Sequence, residues 1–183
     1  MDFNEHSTLA GQHAFLGASN YHWINYDDQK LEARWSLSTA AVRGTQLHEY
    51  AHSAIKLGIK QSKSPKALNR YINDAIGYKM TSEQPLYYSD NAFGTADTIC
   101  YRRGVLRIHD LKTGVGKTSP HQLEVYAALF CLEYGADPYA IKIELRIYQG
   151  EGMQVFYPDP DVIFAIMDKI VIFDQKIEAM KEV

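Results

Sequence analysis

The chain has 183 residues, 46% of them hydrophobic and 22% charged, and a formal net charge of −3, which is the composition of an ordinary globular protein. No apolar run approaches the roughly 18 residues of a membrane-spanning helix, and residues 1–6 lack the basic and apolar regions of a signal peptide. The two cysteines, Cys100 and Cys131, lie in apolar patterns and are expected to be buried free thiols. We therefore expect a cytoplasmic protein with no membrane partner.

Residues 1–183 are expected to form a single domain, in which residues 1–37 are an N-terminal helical segment that includes a short helix over 21–25. Ser38 and Thr39 are typical helix-capping residues and predict that the first long helix begins there. The elements predicted from that point are helices over 38–57 and 66–76, a strand over 83–88, a strand hairpin over 93–112, a helix over 120–134, a strand over 141–148 and a helix over 161–181. This order predicts an α/β fold whose central mixed sheet is flanked by helices.

Two acidic residues fall on the two strands of the predicted hairpin. Asp97 ends the segment Gly94-Thr95-Ala96-Asp97, and Asp110 begins the segment Asp110-Leu111-Lys112-Thr113-Gly114 thirteen residues later. Alternate residues of a strand share a face, so Asp110 and Lys112 point the same way and the hairpin can bring Asp97 beside them. Two close carboxylates favour a shared proton or a bound cation, and Mg²⁺ prefers such oxygens. The alternative is that Asp110 and Lys112 belong to a solvated face.

Basic residues are concentrated in two segments although the whole chain is acidic. Residues 53–73 contain no acidic residue and include Lys56 and Lys60, and Arg102 and Arg103 occupy the turn of the predicted hairpin. Local basic surfaces of this kind can contact nucleic-acid phosphates. A solvated helix face and loop would give the same pattern, and the sequence leaves both interpretations open.

Two short motifs suggest other chemistry. Residues 114–118 match the end of a phosphate-binding P-loop, but Leu111 stands where that motif requires its first glycine, so we reject it. His48-Glu49-Tyr50-Ala51-His52 matches a zinc-peptidase motif in which His48 and His52 bind zinc and Glu49 is the general base. The extended form of this motif has a further histidine, which this chain lacks at the required spacing. A single helix-borne histidine, His48, can instead complete a carboxylate site that suits Mn²⁺.

Four segments in order resemble the RecB-like branch of the PD-(D/E)xK nucleases, in particular its small phage-encoded exonucleases. They are Gly44-Thr45-x-x-His48, Gly94-x-x-Asp97, Asp110-Leu111-Lys112-Thr113-Gly114 and Gln122-x-x-x-Tyr126. Residues 13–19, with Trp23 after them, are similar to the N-terminal part of phage relatives. The resemblance covers nearly the whole chain and implies a restriction-endonuclease-like core.

The resemblance also implies a role for each motif residue. The implied catalytic residues are Asp97, Asp110 and Lys112. The implied ligands of Mg²⁺ or Mn²⁺ are His48, Asp97, Asp110 and the backbone carbonyl of Leu111. The residues expected to contact DNA are Gln122 and Tyr126 from the motif and Lys56, Lys60, Arg102 and Arg103 from the basic segments. Glu83, at the start of the preceding strand, is a candidate peripheral acid of the site.

Some members of this branch hold an iron–sulfur cluster through four cysteines. Tyr26 stands near the first of those positions, and the C-terminal cysteines are missing, so no cluster is expected here. The leading hypothesis is a Mg²⁺- or Mn²⁺-dependent DNA nuclease, most simply an exonuclease of phage DNA recombination or replication. Its partners would be DNA and a phage single-strand annealing or recombination protein. The alternatives are a zinc peptidase and a nucleic-acid-binding module without catalytic activity. Exonuclease or endonuclease action, strand preference, metal number and oligomeric state stay open.

Overall fold

The structure is a computed structural model that describes residues 14–181. A short 3-10 helix spans Ala18–Asn25. The helices are α1 (Asp28–Leu57), α2 (Ala67–Tyr78), α3 (His121–Tyr134) and α4 (Pro160–Lys181). The strands are β1 (Thr81–Ser89), β2 (Ala92–Arg102), β3 (Val105–Lys112), β4 (Lys142–Gln149) and β5 (Gly152–Phe156). The predicted α/β fold is confirmed, whereas the N-terminal residues 1–13, part of the segment expected to be helical, lie outside the described residues.

The five strands form one mixed sheet in the order in which they occur along the chain. Strands β1, β2 and β3 are antiparallel neighbours, whereas β3 and β4 are parallel and α3 connects them. Parallel neighbours need such a crossover because the chain must return to the same end of the sheet. Strand β5 pairs antiparallel with β4. A mixed sheet flanked by helices is consistent with a restriction-endonuclease-like core.

Each face of the sheet is covered by its own hydrophobic core. On one face, α3 and α4 bury side chains such as Leu123 and Ile163 against Leu106 and Ile108 of β3. On the other face, the C-terminal part of α1 and all of α2 pack against side chains that include Leu111. The alternation of β3 between these cores places Asp110 and Lys112 on the face that carries Leu106 and Ile108, as the sequence pattern predicted.

The prediction that the first long helix begins at Ser38 and Thr39 is wrong. Helix α1 begins ten residues earlier, at Asp28, because the Asp27 carboxylate accepts a hydrogen bond from the backbone N–H of Lys30 at 2.7 Å and caps the helix there. The Thr39 hydroxyl instead donates to the carbonyl of Trp35 inside the helix at 3.0 Å, which is the other local bond that threonine makes. A capping residue type therefore did not mark the helix start.

Strand β5 is absent from the sequence prediction. It follows a tight turn in which Gly150 has a φ of +60°, a conformation that glycine adopts without steric cost. The strand has only five residues, and its exposure pattern does not alternate cleanly, so it carried no period-2 signal. It extends the sheet beyond β4 and pairs Gln149 with Gly152 at the turn.

The chain divides into two compact units, the first ending at Thr45 and the second beginning at Gln46 within α1. The prediction of one domain over residues 1–183 stays a prediction. Both cysteines are buried and free, as expected. Among the described residues, no helix is long and apolar enough to cross a membrane.

Candidate active site

The site begins where the β2–β3 hairpin ladder stops. The last registered pair on that side is Thr98 with His109. Beyond it, the backbone N–H of Leu111 donates to the Asp97 carboxylate at 3.0 Å. A buried N–H needs an acceptor, and here a side chain supplies it, so the ladder ends at a carboxylate. The hydrogen bond from Leu111 holds one oxygen of Asp97 beside β3, the strand that carries Asp110.

Three potential ligands meet at this point. His48 from α1, Glu83 from β1 and Asp97 from β2 each place one ligand atom within 4.8 Å of the other two, and His48 Nδ1 lies 3.4 Å from Asp97 Oδ2. Glu83 lies between the pairs Ser82–Thr98 and Gln84–Ala96 and is therefore opposite Asp97. Its φ of +52° is uncommon for a residue with a side chain and is found more often at functional sites. The residue expected to be peripheral thus belongs to the cluster.

Asp110 contributes a further acidic group to the site, although it is not part of the three-residue cluster. The residue is 3% exposed. One of its oxygens accepts a hydrogen bond from Lys112 Nζ at 3.0 Å, whereas the other, Oδ2, is buried without a hydrogen-bond partner among the described residues. Buried carboxylate oxygens normally have a partner. A hydrogen-bond donor or a cation that is not part of the described residues is the kind of partner that this oxygen can bind.

Both aspartates bind protons more tightly than usual. Burial raises the pKa of Asp97 above its ordinary value, and the Leu111 N–H and His48 oppose that rise. Burial also raises the pKa of Asp110, the negative charge of Asp97 raises it further, and Lys112 opposes the rise. The local excess of negative charge is therefore only partly compensated, which is the electrostatic setting that a divalent cation relieves.

Lys112 is the start of a hydrogen-bonded chain that leaves the carboxylates and runs along α3. Its Nζ donates to Gln122 Oε1 at 2.8 Å, and Gln122 Nε2 donates to the Tyr126 hydroxyl at 3.0 Å. Asp110, Lys112, Gln122 and Tyr126 form what we call the polar chain. The motif that begins at Gly94 also meets the polar chain here. A Cβ on Gly94 would lie 2.9 Å from Tyr126 Cε1, so the glycine makes room for the tyrosine ring.

The zinc-peptidase motif does not converge on one point. The His52 ring lies 2.9 Å from the Ser82 hydroxyl through Nδ1, one helical turn beyond His48, and it is not part of the three-residue cluster. Glu49 is exposed. His48 therefore shares its cluster with two carboxylates, whereas His52 packs against β1.

The basic residues lie farther away. Arg102 and Arg103 form the β2–β3 turn, at the opposite end of β3 from Asp110, which is about 17 Å away along the strand at roughly 3.3 Å per residue. Lys56 and Lys60 are exposed at and after the end of α1. Lys56 is about 12 Å along the helix axis from His48. The structure does not bring these four residues into the carboxylate cluster, and their contact with DNA stays a prediction.

One neighbour of the site was missed by sequence reasoning. Tyr71 of α2 is 2% exposed. Burial raises its pKa well above the ordinary value, and the charges of Asp97, Glu83 and Asp110 raise it further. In the sequence it is one apolar position of an amphipathic helix, and nothing distinguishes it from a core residue.

Comparison with known proteins adds no relative to these observations. No protein-family model matches the chain, and no curated protein sequence is significantly similar to it. The residues of the site are therefore the basis on which a function can be proposed.

Proposed function

We propose that this chain is a divalent-cation-dependent DNA nuclease, as the resemblance of its four motifs implies. The observation that carries the proposal is the convergence of His48, Glu83 and Asp97 beside the buried Asp110, whose Oδ2 makes no hydrogen bond within residues 14–181. Carboxylate oxygens with one imidazole nitrogen are donors that suit Mg²⁺ and, with the histidine, Mn²⁺. Bound there, the cation would supply Lewis-acid stabilisation of phosphate charge and a more acidic water.

The protein's own groups orient the reaction. Lys112 has three N–H donors, of which Asp110 and Gln122 occupy two. The third is free to hold the attacking water or to stabilise negative charge on the phosphate in the transition state. Asp110 and Gln122 restrict the ammonium to one position, so little reorganisation is needed when the strand binds.

Tyr126 has a similar role at the other end of the polar chain. Its hydroxyl accepts a hydrogen bond from Gln122 Nε2, which leaves its own O–H proton to donate. A phosphate oxygen of the strand is a suitable acceptor. Gly94 keeps the ring close to β2, so the hydroxyl is held on the same side of the sheet as Lys112.

The alternatives have less support. A zinc peptidase needs His52 as a ligand beside His48, and among the described residues the cluster around His48 consists of Glu83 and Asp97 and does not include His52. An inactive binding module has no need to bury Asp110 close to the like charge of Asp97, since two carboxylates held close repel each other and lower stability. Exonuclease action, a role in phage recombination or replication and an annealing-protein partner belong to the same proposal through the resemblance alone, and cytoplasmic location belongs to it through the expected reduced cysteines.

The test is an incubation of linear, circular and single-stranded DNA with the purified chain under Mg²⁺, Mn²⁺ or EDTA. We expect degradation with either cation and none with EDTA. Circular DNA that survives while linear DNA is degraded identifies an exonuclease. Asp168→Asn, a change at an exposed carboxylate of α4, is the matched control for Asp97→Asn. The proposal fails if no DNA is degraded with either cation, or if Asp97→Asn is as active as the control.

A further inference from the structure

A polar cavity lies directly beside the polar chain, and the catalytic proposal does not use it. It has a volume of about 390 Å³ and is formed by the loop between β3 and α3, the first turn of α3 and the end of β4. Its lining includes Lys112, Lys117, Thr118, His121, Gln122 and Gln149. Lys112 and Gln122 belong to both the polar chain and this cavity, so the two are continuous.

The cavity is poor in negative charge. No acidic residue occurs between Asp110 and Glu124. Lys117 is exposed and makes no ion pair or side-chain hydrogen bond to any residue of 14–181. The two acids nearest to Lys117 along the chain already have partners, since Asp110 accepts from Lys112 Nζ at 3.0 Å and Glu124 Oε2 lies 2.8 Å from His121 Nδ1. An anion entering the cavity would therefore meet a lysine that has no competing partner.

The main chain of the loop leaves donors available. Gln149 Nε2 donates to the carbonyls of Gly114 and Gly116 at 2.6 and 2.9 Å and so ties the loop to β4. Within the described part of the chain, no backbone N–H from 114 to 119 donates to a protein acceptor. The Thr118 hydroxyl oxygen is buried, yet it too makes no hydrogen bond to a described residue. Lys117 and Thr118 line this cavity, and an ammonium, a hydroxyl and unpaired loop N–H groups are the kinds of donor that bind phosphate.

We infer that this cavity is a subsite for the backbone phosphate next to the one that is cleaved. The inference rests on the proposed nuclease function and names where its substrate strand runs. Lys112 marks the cleaved phosphate, and the strand continues past Gln122 to Lys117 and Thr118. Two phosphates held in this way fix the strand's direction across the carboxylates, which positions the reacting phosphate.

Lys117→Ala tests the subsite, and Lys142→Ala is its matched control because Lys142 is an exposed lysine at the opposite end of β4. Cleavage should be measured at several salt concentrations. Loss of one lysine–phosphate contact should raise KM about tenfold with little change in kcat, and should reduce the slope of log(kcat/KM) against log[salt] by about 0.9 for duplex DNA. Lys142→Ala should keep the wild-type slope. Equal slopes in the two variants overturn the subsite.

A second variant removes the hydroxyl without changing the size of the side chain. Thr118→Val should fold at least as well as the wild type, because its buried hydroxyl has no partner to lose, and should still raise KM for DNA. A KM equal to that of the wild type contradicts the role of Thr118. Both effects should persist on DNA whose terminal phosphates have been removed, and effects that vanish on that DNA overturn placement on an internal phosphate.

Failure of the subsite and failure of the proposed function are distinguishable. A wild-type chain that degrades no DNA under either cation removes the nuclease and the subsite together. An active wild type in which Lys117→Ala and Thr118→Val behave like Lys142→Ala removes the subsite alone.

Discussion

Two polar regions of the same sheet differ in how their charges are matched. One, which we call the arginine cluster, consists of Asp74, Tyr78, Arg107, Glu144, Arg146 and Tyr148. In it, Glu144 lies 3.2 Å from Arg107 and 2.9 Å from Arg146, and Asp74 lies 3.3 Å from Arg146. Two acids thus face two arginines. In the candidate active site, three carboxylates face one lysine and one histidine.

The arginine cluster is also closed by its aromatic members. The Tyr78 ring has Arg107 at 4.6 Å and Arg146 at 5.0 Å from its centroid, and the Tyr148 hydroxyl donates to Asp74 at 2.7 Å. Burial, with the nearby arginines, lowers the pKa of the adjoining His109 to about 3, so that ring adds no charge near neutral pH. Matched charges with aromatic cover stabilise the fold, whereas the carboxylates of the candidate active site are only partly compensated by the chain itself, and the proposed cation would neutralise the remainder.

Asp110→Asn removes one of the three carboxylates of the candidate active site, and its loss of DNA cleavage is the largest effect that we expect. The amide can still accept from Lys112, but it carries no negative charge and so binds a divalent cation more weakly than the carboxylate does. We expect cleavage to fall by three or more orders of magnitude, which is on the order of 4 kcal/mol of transition-state stabilisation. Initial rates with Mg²⁺ and Mn²⁺ measure this. Activity within tenfold of the wild type would exclude Asp110 from the chemistry.

The same variant should be more stable than the wild type in the absence of metal, and the gain should depend on pH. Burial and the charge of Asp97 raise the pKa of Asp110 in the folded chain. Between the ordinary value near 3.9 and that raised value, the folded state binds more protons than the unfolded state, so wild-type stability falls as pH rises. The amide of the Asp110→Asn variant does not titrate and has no such dependence. Thermal melts in EDTA should therefore show a gain at neutral pH that shrinks toward about pH 4, and a gain that is constant with pH contradicts this account.

Arg146→Ala tests the matched region. Its side chain is 13% exposed and contacts both Asp74 and Glu144, so its removal leaves Asp74 without its arginine. Glu144 keeps its pair with Arg107 and the Asp74 side chain is 37% exposed, so denaturant unfolding should show a loss of about 2 kcal/mol, the size of a hydrogen bond to a charged group. Cleavage per folded molecule should stay unchanged. A variant that is fully stable but inactive would reverse the roles we give to the two regions.

At Glu83, two substitutions can separate the effect of the negative charge from the effect of the left-handed backbone conformation. Glu83→Gln removes only the negative charge, whereas Glu83→Gly also removes the side chain from a left-handed backbone position. Both variants should weaken Mn²⁺ affinity about tenfold, measured by the metal-dependent rise in melting temperature. Only the glycine variant should also relieve backbone strain, so it should melt above Glu83→Gln in EDTA. If both variants bind Mn²⁺ as tightly as the wild type does, Glu83 is not a ligand of the cation.

The fold could be predicted from the sequence where local pattern and tertiary contact agree. Helix α3 ends at Gly135, whose left-handed φ of +62° a glycine stop predicts, and the face shared by Asp110 and Lys112 follows from strand alternation. The start of α1 could not be predicted, because Asp27 and Ser38 are both residue types that cap helices. The structure shows that Asp27 makes the capping hydrogen bond, to the N–H of Lys30. Strand β5 is too short to carry a periodic signal.

The site could be predicted in part for a related reason. Motif spacing indicated Asp97, Asp110 and Lys112, and the structure adds the contacts that join them. The full role of Glu83 depends on its position opposite Asp97 in a neighbouring strand, and that of Tyr71 depends on how α2 packs. Neither register between β1 and β2 nor helix packing is encoded in a local pattern. The sequence did not predict the cavity at Lys117. Its only signal in that loop was the incomplete P-loop motif of residues 114–118, which we rejected.

The smallest expected effect concerns His52, and it separates two interpretations of one helix. His52 pairs with Ser82, so His52→Ala should cost about 1 kcal/mol of stability and leave kcat within a few-fold of the wild type. His48→Ala, one turn earlier, should cripple cleavage with either cation because it removes the imidazole beside Asp97. Parallel rate measurements and melts on the two variants compare them directly. If both substitutions abolish DNA cleavage, His52 also takes part in the site and our assignment of His48 as the one histidine ligand of α1 is wrong. If His48→Ala is fully active, α1 supplies no ligand and the cation must be held by Glu83, Asp97 and Asp110 alone.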